Sequence, residues 1–80
     1  MKEKVSSRLE CPVDISEEQE LGMFVNAVRV LRDGSDALLD FMVYSPSEQQ
    51  AKVVSRLRVK PPFLLAIKER LDESVDILDS

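Results

Sequence analysis

The chain has 80 residues, a net charge of −4, no histidine and one cysteine, which bounds it to a single small acidic domain. Those counts exclude an intrachain disulfide and the usual zinc ligand sets, and no apolar run approaches the ~20 residues that a transmembrane helix needs. A domain of this length buries only about 60–65% of the surface its unfolded chain exposes, so association with another copy is the expected supplement.

Charge is unevenly placed: residues 1–22 carry a net −3, residues 23–60 +2 and residues 61–80 −3. The opening stretch Met1-Lys2-Glu3-Lys4-Val5-Ser6-Ser7-Arg8 lacks the apolar segment of a signal peptide, and the expected setting is cytoplasmic. Residues 1–22 read as a mobile acidic arm with a short extended piece at Ser7–Val13. Within it, Ser16-Glu17-Glu18-Gln19 spells a capping box for one helical turn, which Gly22 closes.

Residues 23–80 form the predicted domain. Met23–Leu31 is rich in β-formers and makes the first strand. Arg32-Asp33-Gly34-Ser35-Asp36 is a hairpin turn, because Gly supplies the positive φ of a tight connection. Ala37–Tyr44 is the second strand, Ser45–Gln50 a second turn, and Ala51–Lys60 an alternating third strand. Pro61 and Pro62 open a helix, where a missing N–H loses no partner. Leu64, Ile67, Leu71, Val75 and Leu78 then mark one apolar stripe at three- and four-residue steps. The fold class is α+β: a three-stranded antiparallel meander followed by one C-terminal amphipathic helix, in the order β-β-β-α.

A two-residue Gly34-Ser35 loop sets Val28 opposite Phe41, Arg29 opposite Asp40 and Val30 opposite Leu39. One sheet face then holds Phe24, Val28, Val30, Leu39, Phe41, Val43, Val53, Leu57 and Val59, and is expected to take the helix stripe. The opposite face mixes Met23, Val25, Leu31, Leu38, Met42, Tyr44 and Val54 with charged residues. That is more apolar surface than a solvated face carries, so these seven are the predicted interface residues. The alternative cover for this face is the N-terminal arm.

Phe24-Val25-Asn26-Ala27-Val28-Arg29-Val30, Leu39-Asp40-Phe41, Val53-Val54-Ser55-Arg56-Leu57 and Val59-Lys60-Pro61 resemble the core of a family of short bacterial proteins of unknown function. That family's pattern runs aromatic-x-Asn-x-Val-x-Val, then Leu-Asp-Phe, then Val-Ser-Arg-Ile and a Ser-Pro helix start, and the resemblance spans about residues 22–79. Lys60 stands where the family has its Ser cap, a loss of about 0.5–2 kcal/mol at the helix start, partly offset by the prolines. Ala37 replaces a bulky residue and Ser74 an Asn. The resemblance implies a sheet-plus-helix protein from a bacterial or phage setting, and no activity.

Candidate chemistry is sparse. Arg29, Asp40 and Arg56 are expected to cluster as a cross-strand ion ladder, with recognition of an anionic partner as the alternative. Lys52, Arg56, Arg58 and Lys60 make a basic stripe that reads first as charge protection of an edge strand and second as an anion-facing row for phosphates. Asn26 is expected inside, bonded to backbone. Cys11 reads as an inert thiol, and Asp72, Glu73, Asp76 and Asp79 as a solvated helix face rather than a cation site. Without histidine or a placed pair of acids, general acid–base catalysis lacks its usual groups. The chain therefore reads as a noncatalytic protein-interaction module that needs no cofactor and associates with itself or with another protein. The alternatives are a small holding or export-type chaperone and a nucleic-acid-associated phage or plasmid protein using the basic stripe. The acidic balance argues against nucleic acid, and nothing points to a membrane.

Overall fold

The computed structural model describes the backbone of residues 2–4 and 11–78 and the side chains of residues 11–75. In chain order the elements are β1 (Lys2–Lys4), β2 (Pro12–Asp14), α1 (Glu17–Glu20), β3 (Ala27–Asp33), β4 (Asp36–Ser45), β5 (Gln50–Val59) and α2 (Pro61–Leu78). Strands β3, β4 and β5 form one three-stranded antiparallel sheet with β4 central, and α2 follows it. This is the α+β layout expected of the sequence.

The N-terminal region holds a second, two-stranded ladder, in which Lys2 pairs with Asp14 and Lys4 with Pro12. Three-residue strands carry no usable period, so this ladder has no signature in the residue pattern. Of the extended piece expected at Ser7–Val13, residues 7–10 lie outside the described residues, and its end falls in β2. The single turn α1 is in place. The Ser16 hydroxyl donates to the Gln19 side-chain oxygen at 3.0 Å and the Gln19 N–H donates to the Ser16 carbonyl at 3.0 Å, so a side-chain pair replaces the expected capping box.

Strand β3 starts at Ala27, four residues later than its β-formers suggested. The cause is Asn26. Its backbone N–H donates to the Met42 carbonyl at 3.0 Å. Its side-chain amide then pairs with the backbone of Tyr44, accepting from the N–H at 2.7 Å and donating to the carbonyl at 3.1 Å. The side chain takes the place a further strand peptide would fill. Asn26 is bonded to backbone as expected, but it lies exposed at the sheet margin rather than inside.

The turn fixes the β3–β4 register. Gly34 has φ +61° at the first loop position, as a type II′ connection needs. Val28 lies opposite Phe41, Arg29 opposite Asp40 and Val30 opposite Leu39, the pairs predicted above. The β4–β5 pairing is interrupted. Asp40 faces Arg56 and Phe41 faces Ser55, but Met42 faces Val53, leaving Val54 as an extra residue in a bulge. Beyond it the faces of β5 exchange. Val53 comes to the Met42 side, and Lys52 comes opposite Val43, each the reverse of the expected placement.

The largest departure concerns α2. Its stripe was expected on the apolar sheet face, yet much of the stripe and of that face stays open. Leu71 and Val75 are 61% and 52% exposed, and on the sheet Val28, Val30 and Leu57 are 58%, 56% and 48% exposed. The connection is short. Only Lys60 separates β5 from α2, and the first turn closes at once, with Phe63 N–H donating to the Lys60 carbonyl at 2.9 Å. One residue followed by two prolines leaves α2 little freedom in how it turns back over the sheet. The radius of gyration, 15.0 Å, correspondingly exceeds the ~12 Å of a compact chain of this length. Among the described residues, the enclosed apolar ones are Ala37, Leu38 and Leu39, all on the central strand.

Candidate interaction surface

The two faces of the sheet differ in how their side chains are completed. The second face is crossed by charge. Asp40 is wholly enclosed and bonded on both sides. Arg29 donates from Nε to its Oδ2 at 2.8 Å, and Arg56 donates from Nε to Oδ1 at 2.6 Å and from Nη2 to Oδ2 at 2.9 Å. The register places the three in one row, and β-strand alternation turns them to one side. The predicted cluster of Arg29, Asp40 and Arg56 is thus assembled. Hydrogen bonds from Arg56 and then Arg29 hold the Asp40 carboxyl well below the usual carboxylate range, against the opposing effect of desolvation. Asp40 in turn raises Arg56. Both arginines remain about half exposed, at 50% and 48%.

A second network lies toward the β3–β4 turn, and the sequence reading missed its acids. Arg58 donates to Asp33 at 2.7 Å and to Asp36 at 3.0 Å, and Lys60 donates to Asp36 at 2.8 Å. Lys60, then Arg58, lowers the Asp36 carboxyl, while Asp33 and then Asp36 raise Arg58. The signal was available: a two-residue hairpin sets Asp33 opposite Asp36, and strand three must bring a cation beside them. The basic stripe is therefore not a row of bare cations. Arg56, Arg58 and Lys60 each meet a carboxylate, and the bulge sends Lys52 to the other face.

The predicted interface residues disperse. Leu38 is buried within the chain, opposite Arg58, whose guanidinium reaches past it to the two aspartates. Met42 and Val54 are half-buried, and Leu31 and Tyr44 are exposed. Met23 and Val25 precede β3 instead of lying in it, Met23 exposed and Val25 half-buried.

The first face is apolar and open. Val28, Val30 and Leu57 stand exposed around Leu39 and Phe41, and its charges are Arg32 and Lys52, with Glu48 beside Lys52 at the far end. At its Ala37 end an open cleft of about 430 Å³ separates the sheet from the start of α2, lined by Val30, Leu31, Ala37, Pro61 and Leu64 among others. Along α2, Leu64 and Ile67 are half-covered, and Leu71 and Val75 are open. Its polar side carries exposed or half-exposed pairs, Lys68–Asp72 at 3.7 Å and Arg70–Glu73 at 3.0 Å, a solvated arrangement worth little individually. The one warning in the sequence was Val59-Lys60-Pro61-Pro62, a strand running into a helix with little freedom to turn.

Cys11 is a free, exposed thiol. Among the described residues no group of His, Cys, Asp or Glu side chains is placed to hold a metal ion, and no helix is long and apolar enough to cross a membrane. Neither the protein-family models, nor the curated proteins, nor the solved structures contain a match to the chain.

Proposed function

We propose that this chain is a noncatalytic interaction module that works as a homo-oligomer. The observation that carries the reading is the pair of unpartnered apolar surfaces, the Val28/Val30/Leu57 sheet face and the Leu71/Val75 stripe of α2. The chain presents 7082 Å² of accessible surface, against about 4,900 Å² for a compact chain of its mass. An excess of this kind is typical of a subunit taken out of its assembly. The interface moves from the second face, where charge networks already complete much of the surface, to the first. Membership of the bacterial family with the Phe-x-Asn-x-Val-Arg-Val pattern is part of the same proposal. The test is size exclusion with light scattering at micromolar concentration. A mass that is a multiple of 9.1 kDa is expected, and a 9.1 kDa particle overturns the reading.

The same open apolar face favours a second reading, a holding or export-type chaperone whose groove takes unfolded segments. Dissociation to monomer on adding a reduced, unfolded client would support it. Nucleic-acid binding has less support, because three of the four basic residues are neutralised in place and phosphate contacts need several cations on one surface.

A further inference from the structure

We infer that the apolar sheet face is covered by α2 of a second copy, the two chains of a dimer exchanging their C-terminal helices reciprocally. This rests on the homo-oligomer reading and adds which surfaces meet.

Four observations converge. First, the chain carries both halves of one contact, a sheet face on which Val28, Val30 and Leu57 stand open beside the enclosed Leu39, and an amphipathic helix whose Leu71 and Val75 stand open. Second, α2 follows β5 after Lys60 alone, and its far half, at Leu71 and Val75, stays open on its own chain. A two-fold axis then makes the same contact twice and closes the assembly. Third, the charges agree. The sheet face carries Arg32 and Lys52 against one acid, Glu48 beside Lys52, whereas α2 carries Glu69, Asp72, Glu73 and Asp76 against Lys68 and Arg70. Fourth, the areas agree. The surface of 7082 Å² leaves roughly 2,000 Å² per chain above the compact value, part of it at Leu21, Met23 and Phe24, and obligate homodimers bury about 2,000–5,000 Å² in total. The exchange leaves the Arg29–Asp40–Arg56 ladder on the outer face, where its half-exposed arginines stay hydrated.

The N-terminal arm is a poorer cover for this face. It shares the acidic balance of α2 but offers no apolar stripe to match the face, since Glu10, Asp14, Glu17, Glu18 and Glu20 interrupt its apolar residues.

The experiment uses the full chain, carrying Cys11→Ser to remove adventitious crosslinks, with mass read by light scattering. The parent should be a dimer. Val30→Glu and Leu71→Glu place a charge on the sheet side and the helix side of both contacts, and each alone should yield monomers. Mixed in equal amounts they should regain dimer mass in part, because a mixed pair keeps one wild-type sheet against one wild-type helix. Should either variant fail to fold, a mixed sample of labelled and unlabelled wild-type chains replaces it. Isotope-filtered NMR should then show interchain contacts from the methyls of Val28, Val30 and Leu57 to those of Leu71 and Val75. A dimer whose interchain contacts run sheet to sheet or helix to helix overturns the exchange and leaves the oligomer reading standing. A larger ring overturns the reciprocal form. A monomeric parent overturns both.

Discussion

The two faces of the sheet are built from the same three strands and end in different states. On the second face, each large charge finds a partner within the chain: Asp40 between Arg29 and Arg56, Asp36 between Arg58 and Lys60. On the first face, the apolar groups have no such partners. An ion pair is settled by the reach of two side chains, but an apolar surface needs a whole second surface. The helix that offers one leaves much of that face open. Local chemistry therefore completes one face, while the other depends on what the chain meets.

That contrast can be broken most forcefully at the central strand. Leu39→Ala removes an enclosed side chain, 7% exposed, and should cost about 2–5 kcal/mol in denaturant melts at any protein concentration. Leu71→Ala should cost the assembled protein a comparable amount and the isolated chain less than about 0.5 kcal/mol, as for an exposed site. Equal costs at low and high concentration would show that α2 is packed within its own chain.

Asp40→Ala should lower the melting temperature by several degrees, roughly 5 °C. The effect is smaller than for a fully buried triad, because the stranded arginines are half exposed and regain water. A double-mutant cycle between Arg29 and Asp40 should give non-additive losses, and additivity within error would remove the pairing. The pH dependence has a definite sign. Because the folded carboxyls of Asp40 and Asp36 are depressed from 3.8, their stabilisation is complete above that ordinary value and is lost as pH falls below it. Asp40→Asn should flatten the acid limb of stability while leaving the basic side unchanged, as followed by circular dichroism.

Asn26 tests the margin between the faces. Asn26→Ala deletes two exposed hydrogen bonds to Tyr44 and should cost about 1–2 kcal/mol. Asn26→Asp should restore little of that, since its second oxygen would face the Tyr44 carbonyl. The smallest effect belongs to Gln49, which holds φ +52° in the second turn. Gln49→Gly should gain up to about 1 kcal/mol by relieving a left-handed backbone. A loss there would mean that the turn relaxes out of that conformation.

What could be read in advance divides along the same physical line. The β3–β4 register was legible because a two-residue loop leaves one way to pair Asp33 with Asp36, and the Arg29–Asp40 contact came with it. The β4–β5 bulge was not, because residues 46–49 form a looser loop that sets no phase, and so Val53 and Lys52 changed faces. Leu64, Ile67 and Leu71 announced an apolar helix stripe. A stripe states which side needs cover and is silent about what provides it. The backbone bonding of Asn26 was expected, but its place at the open end of the strand was not, because a side chain standing in for a peptide leaves no period.

The most direct test of the central claim is the thermal midpoint followed over a hundredfold dilution of the unmodified protein. If a second copy completes the apolar face, folding is coupled to association and the midpoint falls steadily as the protein is diluted. A midpoint that stays constant across the series, with the chain a 9.1 kDa particle throughout, would contradict it.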